Sequence, residues 1–530
     1  MSRHTRTPAK PALEFTPEFQ RTLDLLENTN KSVFITGRAG TGKSTLLDYF
    51  RNNTRKNVVV LAPTGVAALN VRGQTLHSFF AFRPDITLDR VKKLSEIKRV
   101  LIKNLEAMII DEISMVRADL LDCVDKALRI NREFPDLPFG GLQMILIGDL
   151  YQLPPVVTNS EKAAFSLHYD SPYFFSARAF NDPNFELEFV ELEKVFRQKE
   201  ASFLELLNAI RNRSITDEQL TKLNARCRPD FIPPEHEFYI TLTSTNEAAD
   251  RINEEKLERL PGQSRLYTGV ISGEFDLDSL PTTKTLAIKE GAQVMLLNND
   301  SYGRWVNGSI GRVEEIIEAE GNPDVIMVRL QDDSLVDVLP HQWEIFEFEY
   351  DRKRKKIISR VVGTFTQYPL RLAWAVTIHK SQGKTFDRVV VDIGRGAFAH
   401  GQVYVALSRC TSFRGLVLKK PIKKGHILMD YRVVRFLTQF QYRKAEEHIP
   451  VEIKRQRIKE AIRKKKLLEI TYLKPDDTKS RRRVRPLSLG TMEYRGRSFE
   501  ALVAYCFLRQ EERCFRLDRI LDFKIIEDSR

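Results

Sequence analysis

The feature that most constrains the fold is the segment Gly37-Arg38-Ala39-Gly40-Thr41-Gly42-Lys43-Ser44. It follows an apolar run at residues 33–36 and opens a helical pattern. In that context the glycines let backbone N–H groups surround phosphates, and the helix N-terminus favours negative charge. We predict that Lys43 reaches the β and γ phosphates of a nucleotide and that the Ser44 hydroxyl ligates Mg²⁺. A chance glycine-rich turn is the alternative, and the flanking strand and helix argue against it.

Short apolar runs bounded by turn residues continue after this loop. They lie at residues 33–36, 58–61, 108–110 and 144–147, and helix-like segments such as residues 118–132 separate them. This alternation is typical of a doubly wound α/β fold with a buried parallel sheet. A second set at residues 239–242, 294–297, 389–391 and 416–418 predicts a second α/β lobe.

The pattern changes twice further along the chain. Glycines punctuate strand-like segments from about residue 307 to 365, which predicts a small antiparallel β insertion in the second lobe. A charged linker at residues 431–455 leads to a last unit at residues 456–530, where we expect a helix followed by strands. The predicted lobes are therefore residues 1–190 and 191–430.

Asp111 and Glu112 directly follow the apolar run that ends at Ile110. Adjacent carboxylates at the end of a strand can divide the work of hydrolysis. We predict that Asp111 holds Mg²⁺, directly or through water, and that Glu112 orients or deprotonates the attacking water. The alternative is that the two acids only cap the following helix.

Charge and cysteine content restrict the partners and the compartment. The formal net charge is +13, and between Tyr431 and Arg485 there are 18 Lys and Arg against 7 Asp and Glu. Such a basic stretch attracts polyanions, although a solvated helix face is an equally good explanation of the stretch alone. The five scattered cysteines fit neither a zinc site nor a disulfide framework, and no apolar run is long enough to span a membrane. We therefore expect a cytoplasmic protein with no membrane partner.

Further segments give the chain a family resemblance. In order, they occupy residues 62–68, 73–79, 148–156, 195–198, 377–383 and 403–409, and they resemble the motifs of superfamily-one helicases. Pro138-Phe139-Gly140-Gly141-Leu142-Gln143 narrows the match to the petite-integration-frequency (PIF) helicase family. The resemblance covers roughly residues 15 to 430. It implies two RecA-like P-loop NTPase lobes, a wedge-bearing insertion at about residues 81–105, a small β-barrel at about 307–365, and 5′-to-3′ movement on DNA.

The resemblance also implies roles for individual residues. Gln152 would sense the γ-phosphate, and Arg197 and Arg409 would stabilise transition-state charge across the cleft. For Gln20, which matches an adenine-reading glutamine, a place on a helix surface stays open. The implied nucleotide contacts are Gln20, Gly37, Gly40, Thr41, Gly42, Lys43, Ser44, Thr45 and Gly383. The implied DNA contacts are Thr64, Val66, His77, Phe79, His379 and Lys380, with a core role open for Phe79 and a buried structural role for His77.

The C-terminal unit resembles a different family. Ile470-Thr471-Tyr472, Arg485-Pro486-Leu487 and the segment at residues 514–520 are similar to the WYL domain, a small β-rich module. Its eponymous Trp-Tyr-Leu corresponds here to Glu500-Ala501-Leu502, so a ligand pocket that depends on those aromatics is in doubt. Arg516 and Arg519 are candidates for phosphate contacts, with ion pairing to Asp518 as the alternative.

Together these features predict a monomeric, ATP- and Mg²⁺-dependent DNA helicase of replication, repair or recombination. The two resemblances imply that it is bacterial and associated with the nucleoid. Its expected partners are single-stranded DNA and forked or tailed duplexes. A nucleic-acid-stimulated ATPase that remodels RNA or a protein on DNA uses the same motifs. A transcription regulator with a vestigial ATPase is a third possibility, against which Lys43, Glu112, Arg197 and Arg409 argue.

Overall fold

The computed structural model describes residues 15–158, 160–196, 198, 200–394, 396, 399–475, 478–494 and 496–526. One compact unit comprises the chain up to Ile210 together with Thr216–Leu428, and the other comprises Arg211–Ile215 and the chain from Met429 onward. Among the helices of these ranges, none has the length and apolar composition needed to cross a membrane.

The first lobe surrounds a six-stranded sheet in which every neighbouring pair is parallel, in the order β3-β2-β4-β5-β1-β6. The strands are β1 (Ser32–Gly37), β2 (Val58–Ala62), β3 (Gln74–Thr75), β4 (Ala107–Ile110), β5 (Gln143–Ile147) and β6 (Leu187–Leu192). The helices are α1 (Pro17–Asn28), α2 (Lys43–Asn53), α3 (Gly65–Asn70), α4 (Leu76–Phe80), α5 (Glu96–Lys103), α6 (Ala118–Arg132) and α7 (Lys162–Ser166). The four strands predicted from apolar runs and the helix at residues 118–132 are confirmed.

Burial explains why these runs form central strands. Every residue of β1, β4 and β5 is buried, as expected for strands covered on both faces. Leu46, Leu47 and Phe50 of α2 pack on this sheet, and each such side chain stabilises the fold by about 1.5–3 kcal/mol. The packing fixes α2 at the end of β1 and thereby sets the shape of the loop between them.

The rest of the first unit contains four helices and fourteen strands among its described residues. The helices are α8 (Ala201–Arg211), α9 (Asp217–Asn224), α10 (Asn246–Arg259) and α11 (Gln402–Ser408). The strands are β7 (Ile240–Thr243), β8 (Arg265–Thr268), β9 (Val270–Gly273), β10 (Thr285–Ile288), β11 (Gln293–Leu296), β12 (Ile310–Ile317), β13 (Val325–Leu330), β14 (Leu335–Val338), β15 (His341–Asp351), β16 (Lys356–Gln367), β17 (Leu370–Leu372), β18 (Ala375–Thr377), β19 (Val389–Asp392) and β20 (Leu416–Leu418). The second lobe surrounds a four-stranded parallel sheet in the order β18-β7-β19-β20.

The strands between β7 and β18 are antiparallel. They form a five-stranded sheet (β14-β13-β12-β11-β17), a three-stranded sheet (β15-β16-β9) and a β10-β8 pair. The apolar run at residues 294–297 was predicted to belong to the second parallel sheet, and that prediction is wrong. It forms β11, which pairs antiparallel with β12 and β17 and packs in the same core as Trp305 and Val328. A buried run has the same composition in either kind of sheet, so periodicity did not separate them.

The second compact unit is a pair of helices followed by a five-stranded antiparallel sheet in the order β24-β23-β22-β21-β25. The elements are α12 (Tyr431–His448), α13 (Val451–Arg463), β21 (Leu467–Leu473), β22 (Lys479–Tyr494), β23 (Arg497–Cys506), β24 (Glu511–Arg516) and β25 (Ile520–Ile526). The predicted helix followed by strands is confirmed. The segment at residues 431–455, expected as a linker, is largely helical.

Candidate functional site

The glycine-rich loop joins the end of β1 to the first turn of α2. Gly42 precedes the helix with φ +86°, a left-handed conformation that favours glycine. At Gly37 a Cβ would lie 2.6 Å from Thr41 Oγ1 and 2.7 Å from the Leu192 carbonyl oxygen, so the loop has room only for glycine. The Lys43 ammonium donates to the Gly37 and Arg38 carbonyls at 2.7 and 3.1 Å. The lysine thus lies over the loop, where it can bind a phosphate.

Asp111 and Glu112 lie at the end of β4, two strands from the loop. The Asp111 N–H donates to the Leu61 carbonyl at 2.9 Å, and Glu112 adopts φ +50°, which turns its side chain out of the strand direction. Burial raises the pKa of both carboxyl groups, and for Glu112 the negative charge of Asp111 raises it further. The positive charge of Lys43 opposes both shifts, so the lysine and the acid pair share one site.

The same residues fit a divalent cation. A cation beside Asp111 would favour the ionised form that burial disfavours, and hard oxygen donors are what Mg²⁺ prefers. The Ser44 side chain, in the first turn of α2, is exposed and able to contribute its hydroxyl.

Gln152 lies in a loop that the second lobe touches directly. Its amide donates to Asp149 Oδ2 at 3.2 Å, and the side chain is buried. Gly401, with φ +73°, precedes α11, and a Cβ there would lie 2.3 Å from the Tyr151 carbonyl oxygen. The neighbouring His400 bonds through Nε2 to the Leu150 carbonyl at 3.0 Å. The start of α11 therefore packs closely against the backbone of the loop that carries Gln152.

Arg409 follows α11 and is almost completely buried in the second lobe. Its guanidinium donates to the carbonyls of Val405, Ser381 and Lys384 at 2.9, 3.4 and 3.2 Å. The positive charge of Arg409 opposes the rise in the pKa of Glu112, so the guanidinium is near enough to interact with that carboxyl group. Arg197, the other predicted arginine of the cleft, lies outside the described residues.

Among the contacts between the lobes that were not predicted, three lie close to the residues of the nucleotide site. The Gln382 amide donates to Glu112 Oε2 at 3.2 Å. The Tyr404 hydroxyl accepts a bond from the Ala39 N–H at 3.3 Å. The third is the fit of Gly401 against the loop of Gln152. All three residues lie in or beside the resembling segments, but only the tertiary structure shows what they touch.

The remaining predicted nucleotide residues lie around this loop. Gln20 is exposed in the first turn of α1, which Thr16 caps by accepting the Phe19 N–H at 3.2 Å. Thr41 is buried, and its hydroxyl donates to the Arg38 carbonyl at 3.0 Å. Gly40 accepts a backbone bond from the Phe196 N–H at 2.8 Å. Gly383, in the turn after β18, is exposed with φ +79°.

The predicted DNA residues of the first lobe differ in exposure. Thr64 caps α3 and is exposed, as is Val66, whereas His77 on α4 is half-buried and burial lowers its pKa. Phe79 is 3% exposed. Its ring lies 4.9 Å from that of Phe80 and 6.4 Å from that of Phe348 on β15. In this structure Phe79 is a core residue, and its predicted stacking face is covered.

In the second lobe, His379 and Lys380 begin the turn after β18, and burial lowers the pKa of both. Two cations beside them were not predicted. Lys384 donates to Asn307 Oδ1 at 2.6 Å, and burial together with the charge of Arg371 lowers its pKa to about 8. A phosphate near this cluster would relieve the repulsion between its members.

In the C-terminal unit, an ion pair involves the residue aligned with the missing aromatic. Glu500 accepts from Arg455 Nε and Nη2 at 2.8 and 2.9 Å. Arg516 forms an ion pair with Asp518 at 2.6 Å, the alternative weighed for it from the sequence. Its guanidinium also lies 4.8 Å from the centre of the Phe499 ring.

A phosphate-binding loop at the end of a parallel strand, with a carboxylate pair at the end of a nearby strand, defines a P-loop NTPase. The chain matches the family model of the PIF1-like helicases over residues 19–221 and that of the WYL domain over residues 455–525. It is 33% identical to the ATP-dependent DNA helicase Pif1 of Bdellovibrio bacteriovorus, covering 81% of this chain and 93% of that protein. The chain belongs to the PIF1-like helicase family, with RecA-like lobes of the superfamily-one type and a C-terminal WYL domain.

Other relatives agree. The ATP-dependent DNA helicase PIF1 of Danio rerio is 36% identical over 73% of this chain, which spans only 58% of that longer protein. Unliganded Pif1 from Bacteroides sp. superposes with a TM-score of 0.73 at 38% identity, covering 81% of this chain and 97% of the other. Bacteroides Pif1 bound to ssDNA superposes with a TM-score of 0.58 at 39% identity, covering 80% of this chain and 96% of the other. Bacteroides sp. Pif1 in complex with ADP-AlF4 gives a TM-score of 0.74 at 37% identity, so the present arrangement is closer to the structures without DNA than to the one bound to ssDNA.

Proposed function

We propose that this protein is an ATP-dependent DNA helicase that translocates 5′ to 3′ on single-stranded DNA and unwinds duplex or structured DNA in replication, repair or recombination. The observation that carries the proposal is the 3.2 Å bond from Gln382 of the second lobe to Glu112 of the first. A motor needs the acid that promotes hydrolysis to respond to the position of the other lobe, and this bond supplies such a contact. The family and its named relatives support the choice of DNA.

In the proposed ATP site, Lys43 binds the β and γ phosphates while the backbone of Gly37, Gly40, Thr41 and Gly42 surrounds them. Ser44 and Asp111 would hold Mg²⁺, which when bound neutralises phosphate charge.

Glu112 orients and deprotonates the attacking water, and Gln152 senses the γ-phosphate. Arg409 and Arg197 supply positive charge from the second lobe. Gln20 reads the base, and Thr45 and Gly383 complete the nucleotide contacts.

In the proposed DNA channel, Thr64, Val66 and His77 contact the strand from the first lobe, and His379 and Lys380 from the second. The Phe79 ring can contact the DNA strand only if β15 moves away, because Phe348 of β15 packs against that ring. Lys98 also forms an ion pair with Glu347 of β15 at 3.3 Å, so α5 and β15 would separate in the same movement.

We also propose the domain boundaries expected from the sequence: lobes at residues 1–190 and 191–430, a wedge insertion at about 81–105, a linker at 431–455 and a WYL-like domain at 456–530. The antiparallel sheets from β8 to β17 support a small β-barrel that includes residues 307–365. The protein is proposed to act as a monomer, which sedimentation velocity with and without DNA tests.

The C-terminal unit is proposed to add a single-strand contact. Arg483 and Arg485 each lie with the guanidinium 5.6 Å from the centre of the Phe507 ring, which is itself 37% exposed. An aromatic ring flanked by cations suits base stacking and phosphate contact without sequence preference. Deletion of residues 456–530 with no change in DNA affinity or unwinding would overturn this assignment.

The first experiment is strand displacement on duplexes with a 5′ or a 3′ single-stranded tail, in ATP and Mg²⁺. We expect the wild type to displace only the 5′-tailed substrate and Lys43→Ala to displace neither. Lys31→Ala, which removes an exposed lysine paired with Glu188, is the matched control and should retain displacement. Displacement from the 3′ tail would refute the direction. DNA-stimulated hydrolysis without displacement would replace the helicase with a remodelling ATPase.

A further inference from the structure

The turn at residues 378–384, which follows β18, touches both halves of the proposed machinery. His379 and Lys380, in its first half, are proposed DNA contacts. Gln382, in its second half, reaches Glu112 across the cleft. Among the described residues, Gln382 is the one whose side chain donates a hydrogen bond to the Glu112 carboxylate.

The turn is held rigidly. The Ile378 N–H donates to the Thr243 carbonyl of β7 at 2.9 Å. Ser381 is fully buried, and its hydroxyl donates to the Ile378 carbonyl at 2.7 Å. Backbone bonds from Ser381 to Thr377 and from Gln382 to His379 close the turn at 3.0 and 3.1 Å. We therefore expect a displacement at His379 or Lys380 to move Gln382 as well.

The orientation of the Gln382 amide follows from its partner. The amide nitrogen of Gln382 faces Glu112 as the donor, and a carboxylate oxygen accepts the bond, so the amide oxygen faces away. A hydrogen bond to a charged group fixes direction as well as distance. It restricts the Glu112 side chain to one orientation, although the left-handed backbone at that residue leaves several open.

The second lobe adds a further link at the same turn. Arg409 donates to the Ser381 and Lys384 carbonyls on either side of Gln382. The backbone of the turn therefore holds Arg409, and the side chain of Gln382 holds Glu112. Movement of the turn would change the positions of Arg409 and Glu112 together.

We propose that Gln382 is a positioning residue for ATP hydrolysis, which orients Glu112 and makes its orientation depend on DNA bound at His379 and Lys380. This inference rests on the proposed function, because it assumes that Glu112 promotes hydrolysis. It assigns to Gln382 no contact with nucleotide or DNA. Removal of the Gln382 side chain should lower the rate of the chemical step and leave the binding of ATP and of DNA unchanged.

The test compares the wild type with Gln382→Ala and Gln382→Met in steady-state ATP hydrolysis, with and without an oligothymidine. Because a hydrogen bond to a charged group is lost, we expect kcat with DNA to fall about tenfold in both variants. The KM for ATP and the oligothymidine Kd should stay within about twofold, since no binding contact is removed. Gln382→Met keeps the length of the side chain but has no N–H to donate and adds no charge beside Glu112, so its failure to restore kcat separates hydrogen bonding from packing. Gln342→Ala, at an exposed glutamine of β15, is the matched control and should behave as wild type.

A double-mutant cycle locates the effect. If Gln382 acts through Glu112, Gln382→Ala should not slow single-turnover hydrolysis further in a Glu112→Gln background, because the shared interaction is already lost. An undiminished kcat in Gln382→Ala, or an equal decrease in both backgrounds, overturns the inference. A wild type whose hydrolysis DNA does not stimulate would instead refute the proposed function, so the two failures are distinguishable.

Discussion

The sheet of the first lobe and the sheet of the C-terminal unit place their polar residues in opposite ways. In the first lobe β1 and β4 are buried along their whole length, and the chemistry lies beyond their ends at Lys43 and Glu112. In the C-terminal unit β22 alternates along residues 481–486, with Arg481, Arg483 and Arg485 exposed and the residues between them buried.

The difference follows from strand direction. All the carboxyl ends of a parallel sheet meet at one edge, so residues far apart in sequence converge on one small site. An antiparallel sheet with one solvated face distributes its exposed residues over that face. We therefore expect a single substitution at the first sheet to abolish ATP hydrolysis. A single substitution on the exposed face of the C-terminal sheet should weaken DNA binding only partly.

The largest effect should come from Glu112→Gln. Removing the general base should slow ATP hydrolysis by about 10²–10⁴-fold, while nucleotide binding remains, because the amide keeps the size of the side chain. Hydrolysis is measured in the presence of oligothymidine, and nucleotide affinity with a fluorescent ATP analogue. Glu188→Gln, at an exposed ion pair, is the control. A rate within the wild-type range would show that the chemistry does not converge on this edge.

A core substitution should show that the two sheets are stabilised separately. Leu502 of β23 is fully buried, and Leu502→Ala should destabilise the C-terminal unit by about 2–5 kcal/mol. Loss of amide-hydrogen-exchange protection in β21–β25 would report this. The three tryptophans, Trp305, Trp343 and Trp374, all lie in the first unit, so their fluorescence transition should not move. Leu508→Ala, at a largely exposed leucine, is the control, and a shifted fluorescence transition would contradict the expectation.

The pH dependence of stability should reveal the half-buried acid pair of Asp111 and Glu112. A carboxyl group whose pKa is raised on folding holds its proton more tightly in the folded chain. The folded state then loses stability as pH rises above the ordinary value of 4.5 for Glu112, and the loss is complete above its raised pKa. Without nucleotide or Mg²⁺, Glu112→Gln should therefore stabilise the first unit by on the order of 1–3 kcal/mol at pH 8 and by progressively less toward pH 4.5. Tryptophan-detected melting at both pH values measures it, and an equal shift at both would contradict the cause given.

The smallest effect should come from the exposed face of β22. Arg483→Ala should weaken binding of oligothymidine by about 1 kcal/mol and lower the salt dependence of log K by about 0.7, as for one lost phosphate contact. Arg485→Ala should act similarly, whereas Arg481→Ala, further from Phe507, should act less. Fluorescence anisotropy at several salt concentrations provides the values. A complete loss of binding from one of these changes would contradict the distributed surface.

The sequence by itself determined the central strands of the first lobe, α6, the phosphate loop and the acid pair. These are local features, because a buried run, a glycine-rich turn and the residue that follows a strand are all adjacent in the chain. The second set of apolar runs predicted a second α/β lobe, and the family resemblances identified that lobe as RecA-like and the C-terminal unit as a WYL domain.

Only the tertiary structure decided what depends on long-range contact. It placed β11 in an antiparallel sheet, covered Phe79 with Phe348, and brought Gln382 within 3.2 Å of Glu112. The last two residues are 270 positions apart, and no periodicity or spacing encodes a distance that arises only when two separately packed sheets close on each other.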